Sequence, residues 1–425
     1  MFIINLNAID LKKVNIIGLK CMLLFLFFVV KDLRVLSQQK EEIPYFLKAY
    51  TSLYKKDPRA AALKWFEDAR FGLFVHWGPS AAYKSGDWVL YDKKIPLQQY
   101  MDAAMMFTGE KWNADSIADL AVSAQMKYIT YVVKHHDGFA QFDSKAGPFN
   151  SMNAAAHRDF LKEIAAACKK RGLGLFVYYS IGIDWTHPFY LTTPFYSAAR
   201  PHYDSLPPQI RFKGKEDFVH YWNYVKTQIY EICSNYGPLA GVWFDPIGGA
   251  YTNPDMFDVQ SVYDIIRRLQ PQALISYKTG FNGNEDYISC EHEIKSITDL
   301  MRNVQGEQTA QAAEAAWQKN RTKIAELNTT MQKINWGYYE SPKQQHKTAA
   351  QVMALLNTAA VNNGNLLINI GPYPDGSIVP EDKAALIEVG KLLRKNGFPK
   401  QDKINFMKLR SDTKKITERD LETQK

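Results

Sequence analysis

Short apolar runs along this chain alternate with longer stretches in which apolar residues recur at the spacing of one helix face. The apolar runs predict eight buried strands, at residues 71–76, 128–133, 174–179, 241–245, 274–277, 287–289, 334–337 and 365–369. The longer stretches predict helices at residues 113–125, 160–171, 218–235, 258–270, 350–361 and 381–396. The Ala-, Gln-, Glu- and Lys-rich stretch 306–332 contains no proline and predicts one further, longer helix.

Strands that alternate with helices in this way predict an α/β fold, and eight of them predict a TIM-type (β/α)8 barrel. An open doubly wound sheet is the alternative, but neither GxGxxG nor GxxxxGK follows the first strand. After residue 396 the chain has no alternating apolar pattern, so no C-terminal β-sandwich is evident.

The first 37 residues have the composition of an export signal rather than of a folded domain. Lys12, Lys13 and Lys20 precede an apolar run at residues 21–30, which is too short to span a bilayer as a helix. Val35-Leu36-Ser37 then resembles a cleavage site. We therefore expect a signal peptide at 1–37, a barrel domain at 38–399, a charged tail at 400–425, and a secreted or periplasmic bacterial protein. A start at Met22 and a buried N-terminal helix are the alternatives.

Composition and charge remove several classes of protein. With 46% hydrophobic and 23% charged residues, the chain is ordinary for a globular protein. The formal charge of +8 divides into +3 for residues 1–37, +3 for residues 400–425 and +2 for the rest. The central part therefore lacks a basic face for nucleic acid, and no stable membrane insertion is expected after signal removal. Cys168, Cys233 and Cys290 are too far apart to form a disulfide framework.

Polar and aromatic residues collect where the predicted strands end. They occur in the segments His76-Trp-Gly-Pro79, Lys134-His-His-Asp-Gly-Phe139, Tyr178-Tyr-Ser180, Trp243-Phe-Asp-Pro246 and Asn369-Ile-Gly-Pro372. In a parallel barrel these ends lie on one face, where active sites form. Aromatic faces that stack on a sugar ring, next to His, Asp and Lys that bind hydroxyls, predict a carbohydrate site.

Glycoside hydrolysis needs two carboxyl groups that flank the scissile bond. Asp245 ends a rigid, buried strand and supplies the first. Glu285, Asp286, Glu291 and Glu293 are the candidates for the second. A structural role of Asp245, as a helix cap or in a salt bridge, remains open.

No metal or other cofactor is expected. Adjacent residues of an extended segment point to opposite sides, so His135 and His136 should not bind one ion together. HExxH is absent, and so is the GxSxG of serine hydrolases. Asn320-Arg-Thr and Asn328-Thr-Thr match the glycosylation sequon, a short pattern that often occurs by chance.

Five ordered motifs across residues 65–399 resemble the catalytic barrel of the α-L-fucosidases, glycoside hydrolase family 29. They are Arg70-Phe-Gly-Leu-Phe-Val-His-Trp-Gly-Pro79, Lys134-His-His-Asp-Gly-Phe139, Val242-Trp-Phe-Asp245, Asn335-Trp-Gly-Tyr338 and Gly364-Asn-Leu-Leu-Ile-Asn-Ile-Gly-Pro372. The resemblance implies a retaining exo-glycosidase that acts on terminal α-L-fucosyl residues of a glycan or glycoconjugate, with Asp245 as nucleophile. It implies sugar contacts from His76, Trp88, His135, His136, Tyr178, Tyr179, Trp243, Lys278 and Trp336.

Two positions depart from the family pattern. Asp87 stands where the family usually has glutamate, and Lys278 stands where arginine is common. Lysine cannot make the bidentate contact of arginine, so the resemblance leaves open the affinity for a terminal fucose and the identity of the sugar. A barrel glycosidase for another terminal sugar, such as an α-galactoside, and a non-catalytic carbohydrate-binding barrel are therefore the competing hypotheses.

The acid/base residue is expected to be Glu291. Glu291 ends the segment Asp286-Tyr-Ile-Ser-Cys-Glu291, which resembles a family segment that ends in glutamate. It follows Lys278 by 13 residues. Negative charge on Asp245 should raise the pKa of Glu291 and keep it protonated. Glu293 has the same strand parity and could substitute for Glu291, whereas Glu285 precedes the strand and would need a folded-back loop. The structural alternative is that Glu291 merely pairs with Lys278 or His292.

Overall fold

Eight parallel strands form a nearly closed barrel in the computed structural model, which describes residues 42–333, 335–341 and 345–401. The strands are β1 (Phe71–Val75), β2 (Tyr128–Lys134), β3 (Gly174–Ser180), β4 (Gly241–Asp245), β5 (Leu274–Tyr277), β6 (Ile288–Glu291), β7 (Ala325–Thr330) and β8 (Gly364–Ile370). They are hydrogen-bonded in the order β5-β4-β3-β2-β1-β8-β7-β6. The predicted (β/α)8 barrel is thus confirmed, and the doubly wound alternative is wrong.

The barrel closes between β5 and β6 by isolated contacts rather than by a regular ladder. The Ser289 amide donates to the carbonyl of Lys278 over 2.8 Å, and the Asp286 amide donates to the carbonyl of Ile275 over 2.7 Å. The Ser276 hydroxyl also donates to Ser289 Oγ, over 3.1 Å. These bonds bring the ends of β5 and β6 side by side.

Helices cover the outside of the barrel. The described α-helices are Thr51–Tyr54, Pro58–Ala69, Val89–Asp92, Leu97–Met105, Ala114–Ser123, Phe160–Arg171, Phe218–Asn235, Gly248–Thr252, Val259–Leu269, Thr298–Gln305, Glu307–Asn320, Ala349–Val361 and Pro380–Asn396. Short 3₁₀ helices lie at Tyr45–Tyr50, Pro79–Tyr83 and Lys215–Asp217. Residues 278–287 join β5 to β6 without a helix. From the end of β8 to residue 401, the described chain contains one helix and no strand.

Helix Pro58–Ala69 closes the amino-terminal end of the barrel. Asp57 caps it by accepting a hydrogen bond from the Ala60 amide, and proline at its first position fits the helix start. Its Phe66 ring packs against Tyr128, Phe176 and Tyr287, with ring centroids 4.6–5.5 Å apart. Because aromatic rings fill this end, a ligand can enter only from the opposite, carboxyl-terminal end.

The seventh strand lies where the sequence predicted a helix. Stretch 306–332 is not one helix: helix Glu307–Asn320 ends and β7 follows at Ala325–Thr330. The strand predicted at 334–337 is also wrong for residues 335–337, while residue 334 lies outside the described chain. The reason is that β7 is buried yet mostly polar. Its Glu326 lies inside the barrel and accepts hydrogen bonds from Tyr128, Trp243 and Ser289, so no apolar run marks the strand.

The predicted signal peptide at 1–37 lies outside the described residues, and so does the tail beyond residue 401. Within the described ranges, every helix is too short or too polar to cross a bilayer. The compact unit that contains the barrel begins at Tyr45.

A buried ion pair holds the turn after β2 against the loop after β3. Lys134 Nζ lies 2.9 Å from Asp184 Oδ2, and both side chains are at most 1% exposed. Lys134 Nζ also lies 4.5 Å from the centroid of the Tyr179 ring. The Asp184 carboxylate further accepts from the amides of Thr186 and His187. One ion pair therefore fixes both segments that enter the site.

Lys134→Met should destabilise the protein by about 3–5 kcal/mol, because it leaves the Asp184 carboxylate buried without a counter-charge. Urea unfolding followed by tryptophan fluorescence measures this. The matched control is Lys145→Met: that ammonium is 76% exposed and pairs with Asp143, so its loss should cost no more than about 1 kcal/mol. Equal effects of the two substitutions would contradict the stabilising role of the buried pair.

Candidate active site

Asp245 is the last residue of β4 and lies at the carboxyl-terminal end of the barrel, 6% exposed. The Tyr178 hydroxyl donates to its Oδ2 over 2.7 Å, and His136 Nε2 lies 3.8 Å from the same oxygen. Its other oxygen, Oδ1, lies 2.7 Å from Lys278 Nζ. The carboxylate is therefore held in one orientation by three side chains from three neighbouring segments.

Lys278 connects Asp245 to Glu291. The Lys278 Nζ that contacts Asp245 also donates to Glu291 Oε1 over 2.6 Å. The two carboxylate oxygens cannot be more than 5.3 Å apart, because the same Nζ lies 2.7 Å from one and 2.6 Å from the other. Lys278 follows β5 directly and has a φ of 49°, a left-handed conformation that L residues rarely adopt. Such strain is typical of functional positions.

The other carboxylates considered as the second group have partners elsewhere. Glu285 accepts from the amides of Phe281, Asn282 and Gly283 and so shapes the loop between β5 and β6. Asp286 binds Arg267 at 2.6 Å. Glu293 is exposed and paired with Lys295. Of the four candidates, the structure brings only Glu291 to Asp245.

Lys278 changes the protonation expected for the carboxyl pair. Burial raises the pKa of Asp245; Lys278 opposes this shift, and the nearby Glu291 carboxylate adds to it. Burial also acts to raise the pKa of Glu291, but the Lys278 ammonium outweighs it and lowers that pKa. The expectation of a raised pKa for Glu291 is therefore wrong, because Glu291 pairs with Lys278, which was the structural alternative for this residue.

A second acid–base pair lies at the same end of the barrel, where His135 packs against His136 and Tyr178. His135 Nε2 lies 3.1 Å from Asp87 Oδ2, and the Gly337 amide donates to Asp87 Oδ1 over 3.1 Å. Burial acts to lower the pKa of His135, but the Asp87 carboxylate outweighs it and raises this pKa. His76 Nδ1 lies 2.7 Å from Asn369 Oδ1, and burial lowers the pKa of His76 to about 3. His135 thus favours its charged form, whereas His76 stays neutral.

His135 and His136 lie side by side, with ring centroids 3.9 Å apart. The expectation that they point to opposite sides is wrong, because β2 ends at Lys134 and the chain turns there, with the Gly138 amide bonded to the His135 carbonyl. His136 Nδ1 lies 2.8 Å from Ser180 Oγ. Burial, reinforced by the positive charges of His135 and Lys278, lowers the pKa of His136 well below its usual value.

Aromatic rings form the walls of the site. Trp243 stacks on Tyr178 at 5.3 Å and also packs against Phe74. Lys278 Nζ lies 5.3 Å from the centroid of the Trp243 ring, a cation–π distance. Trp88 packs edge-on against His136 at 5.1 Å. These rings provide apolar surface of the kind that binds the C–H face of a sugar.

Trp336 is another aromatic residue that borders the site. Its ring lies 5.2 Å from His76 and 5.6 Å from His292, and its carbonyl accepts from the side-chain amide of Asn369. Tyr179 is the one predicted residue that the structure separates from this group. Its hydroxyl donates outward to Gln228 on helix Phe218–Asn235, because neighbouring residues of β3 face opposite sides.

Sequence reasoning missed several residues of the site. Glu326 and Asn328 belong to β7, which the apolar pattern did not reveal. Phe74 lies in a strand that was predicted, and its parity with His76 could have placed it inside the barrel. Trp185 was not missed: the sequence placed Asp184-Trp185 after the third strand, and the Trp185 ring packs against Trp88 at 5.2 Å.

In the described part of the chain, no group of three or more His, Cys, Asp or Glu side chains is arranged to hold a metal ion. The functional groups that the described site presents are carboxyl groups, histidines, a lysine and a tyrosine. Paired carboxylates between aromatic walls, at the open end of a (β/α)8 barrel, define the class: the protein is a glycoside hydrolase.

Comparison with known proteins identifies the family. Residues 38–398 match the α-L-fucosidase family model, so the chain belongs to the α-L-fucosidase family. It is 28% identical to mouse tissue α-L-fucosidase over 359 residues, which cover 78% of this chain and 70% of that protein. It is 27% identical to an α-L-fucosidase of Branchiostoma floridae, over 78% of this chain and 71% of the relative.

Solved structures of the family have the same fold. α-L-Fucosidase isoenzyme 1 from Paenibacillus thiaminolyticus superimposes with a TM-score of 0.63 at 28% identity, over 80% of this chain and 77% of that one. The α-L-fucosidase AlfC from Lactobacillus casei, in complex with its α-L-fucose product, superimposes with a TM-score of 0.63 at 26% identity. That match covers 78% of this chain and 99% of the other.

His135 should titrate above its usual pKa in the folded protein. Asp87→Asn should lower the pKa of His135, because the negative charge that stabilises the imidazolium is lost. The raised pKa means that the Asp87–His135 pair stabilises the fold at low pH and that this contribution is lost as the pH rises through the folded-state pKa. NMR titration of labelled histidines measures both effects. His76 is the internal control and should stay neutral from pH 5 to 8. Titration of His135 below its usual pKa would contradict the pairing.

Proposed function

We propose that this chain releases terminal α-L-fucosyl residues with retention of configuration, with Asp245 as nucleophile and Glu291 as acid/base. One observation carries the proposal: the two carboxylate oxygens both contact Lys278 Nζ and so lie within 5.3 Å of each other. Retaining glycosidases have carboxyl groups about 5–5.5 Å apart, whereas inverting enzymes need about 6.5–9.5 Å to admit water. Family membership favours the fucosyl group over the other terminal sugars considered.

The first step forms a glycosyl-enzyme. An Asp245 oxygen attacks the anomeric carbon, and the bond to the leaving oxygen breaks as Glu291 donates its proton to that oxygen. Tyr178 and His136 hold the Asp245 carboxylate in place for this attack. In the second step, Glu291 takes a proton from water, the water oxygen bonds to the anomeric carbon, and Asp245 leaves as a carboxylate.

The remaining side chains are suited to bind the sugar. His76 is neutral and has its Nδ1 bonded to Asn369, which leaves Nε2 to bond a hydroxyl. The His135–Asp87 pair can donate to and accept from neighbouring hydroxyls. Trp243 packs against Phe74 and Trp336 packs against His76, so both indole rings border the same site. Substitution of glutamate by Asp87 and of arginine by Lys278 keeps the charge at both positions. It shortens the side chain at position 87 and replaces the two-point donor of arginine with a single ammonium group at position 278.

Asp245→Gly should lower turnover of an aryl α-L-fucoside by several orders of magnitude, since covalent catalysis depends on that carboxylate. Added azide should restore part of the rate by attacking from the vacated side, and the product should be the β-L-fucosyl azide. NMR of the product determines its configuration. Asp255→Gly, which removes an exposed aspartate paired with Lys215, is the control and should keep full activity. Near-native turnover of Asp245→Gly would refute the assignment.

Glu291→Ala should nearly abolish hydrolysis of fucosides with poor leaving groups and spare the fucosylation step of activated aryl fucosides, which need no proton. Measurement of kcat/KM against leaving-group pKa separates the two, and the basic limb of the pH profile should flatten. Glu293→Ala is the matched control, because Glu293 is two residues away and pairs only with exposed Lys295. Equal losses on both substrate types would move the acid role away from Glu291.

We also propose that the protein is exported, on the basis of the basic, apolar and Val-Leu-Ser segments within residues 1–37. Amino-terminal sequencing of the protein from its native host should find a mature chain that begins near Gln38. A cytosolic protein that begins at Met1 would overturn the proposal.

A further inference from the structure

Asn328 has a buried amide without a partner. It is 0% exposed, and neither Oδ1 nor Nδ2 finds a hydrogen-bond partner among the described residues. Buried polar side chains nearly always have a partner, and an unpaired one costs free energy. Full burial in a strand also makes Asn328 inaccessible to glycosylation in the folded protein, although the sequence presents it as a sequon. The cost of the unpaired amide therefore calls for a functional reason.

The amide faces the barrel interior beside Glu291. Glu326 lies two residues earlier on β7 and reaches Trp243 inside the barrel, so Asn328 has the same orientation. In the ladder between β6 and β7, Asn328 is the direct partner of Glu291. Paired strands run about 4.8 Å apart, which places the amide within reach of the carboxyl group after a rotation of the Glu291 side chain. In the present state Glu291 points instead to Lys278.

The bond to Lys278 is unsuitable for a general acid. The ammonium favours the ionised form of Glu291, and donation of a proton requires the protonated form. An amide has no such preference, because its oxygen accepts from a carboxylic acid and its N–H donates to a carboxylate. Contact with Asn328 would therefore serve Glu291 before and after each proton transfer.

We propose that Asn328 is a positioning residue for Glu291, whose carboxyl group leaves Lys278 and binds the Asn328 amide when the substrate occupies the space between the carboxylates. The inference rests on the proposed role of Glu291 as acid/base. Lys278 then remains on Asp245 and keeps the nucleophile ionised. No bond of the substrate is made or broken by Asn328 itself.

The test is Asn328→Leu, which has a similar volume and no polar atoms. Because the amide is unpaired in the resting state, the variant should be at least as stable as the native protein in urea. Its kcat/KM should fall roughly tenfold to a hundredfold on fucosides with poor leaving groups, the effect of one lost hydrogen bond to a charged group, and little on activated aryl fucosides. The basic limb of its pH profile should move to lower pH.

The control is Asn365→Leu at the other end of the barrel. Asn365 is also fully buried, but its Nδ2 donates to the Phe66 carbonyl over 2.8 Å. Asn365→Leu should destabilise the fold, and any change in kcat/KM that it causes should not depend on the leaving group. A purely structural Asn328 would behave like Asn365.

A double-mutant cycle with Glu291→Ala completes the test. Asn328→Leu should cause no further loss in the Glu291→Ala background, since its effect passes through Glu291. Additive losses, or equal losses on both substrate types, would overturn the inference and indicate a contact with the sugar. If the loss of kcat/KM in Glu291→Ala alone does not depend on the leaving group, the assignment of Glu291 as the acid fails, and the inference fails with it. If Glu291→Ala behaves as expected and Asn328→Leu resembles the native enzyme, only the inference fails.

Discussion

One ammonium group shared by two carboxylates determines the chemistry of this molecule. Lys278 Nζ contacts both Asp245 and Glu291. The three residues lie at or directly after the ends of β4, β5 and β6, three successive strands. Two carboxylates this close repel each other, and without the lysine the pKa of one of them would rise. The surrounding fold has to keep three flexible side chains within hydrogen-bond distance, which explains the left-handed backbone of Lys278 and the short, direct connection between β5 and β6.

Buried polar groups outside the proposed sugar-binding set hold the rest of the site in position. The Lys134–Asp184 pair fixes the segments that carry His135, His136 and Trp185. Glu326 accepts from the indole N–H of Trp243 and from two hydroxyl groups, and burial raises the pKa of Glu326 to about 7. Such buried polar networks stabilise a fold only when their groups are satisfied, and they fix side-chain orientations in return. Asn328 differs from Glu326 in that both polar atoms of its buried side chain lack a partner among the described residues, next to Glu291 in the β6–β7 ladder.

Much of the architecture was predictable because apolar runs and helix-face periodicity report burial directly. Strands β4 and β5 and helices Phe160–Arg171 and Phe218–Asn235 coincide with their predicted ranges. Strand β7 was not predictable in this way, since its interior residues are Glu326, Asn328 and Thr330 and its burial depends on partners from distant strands. For the same reason, sequence parity placed Asp245 and Glu291 at one end of the barrel but could not show that Lys278 joins them or that it lowers the pKa of Glu291.

Arg200 shows how the loop after β3 keeps its shape. Its guanidinium is 2% exposed and donates only to main-chain oxygens, those of Asp184, Trp185, His187, Tyr190 and Leu191. Carbonyl oxygens are present whatever side chain a residue carries. The path of this loop therefore does not depend on the side chains of the five residues whose carbonyl groups bind the arginine. Arg200 preserves that path and with it the position of Trp185, whose ring lies 5.5 Å from that of His136.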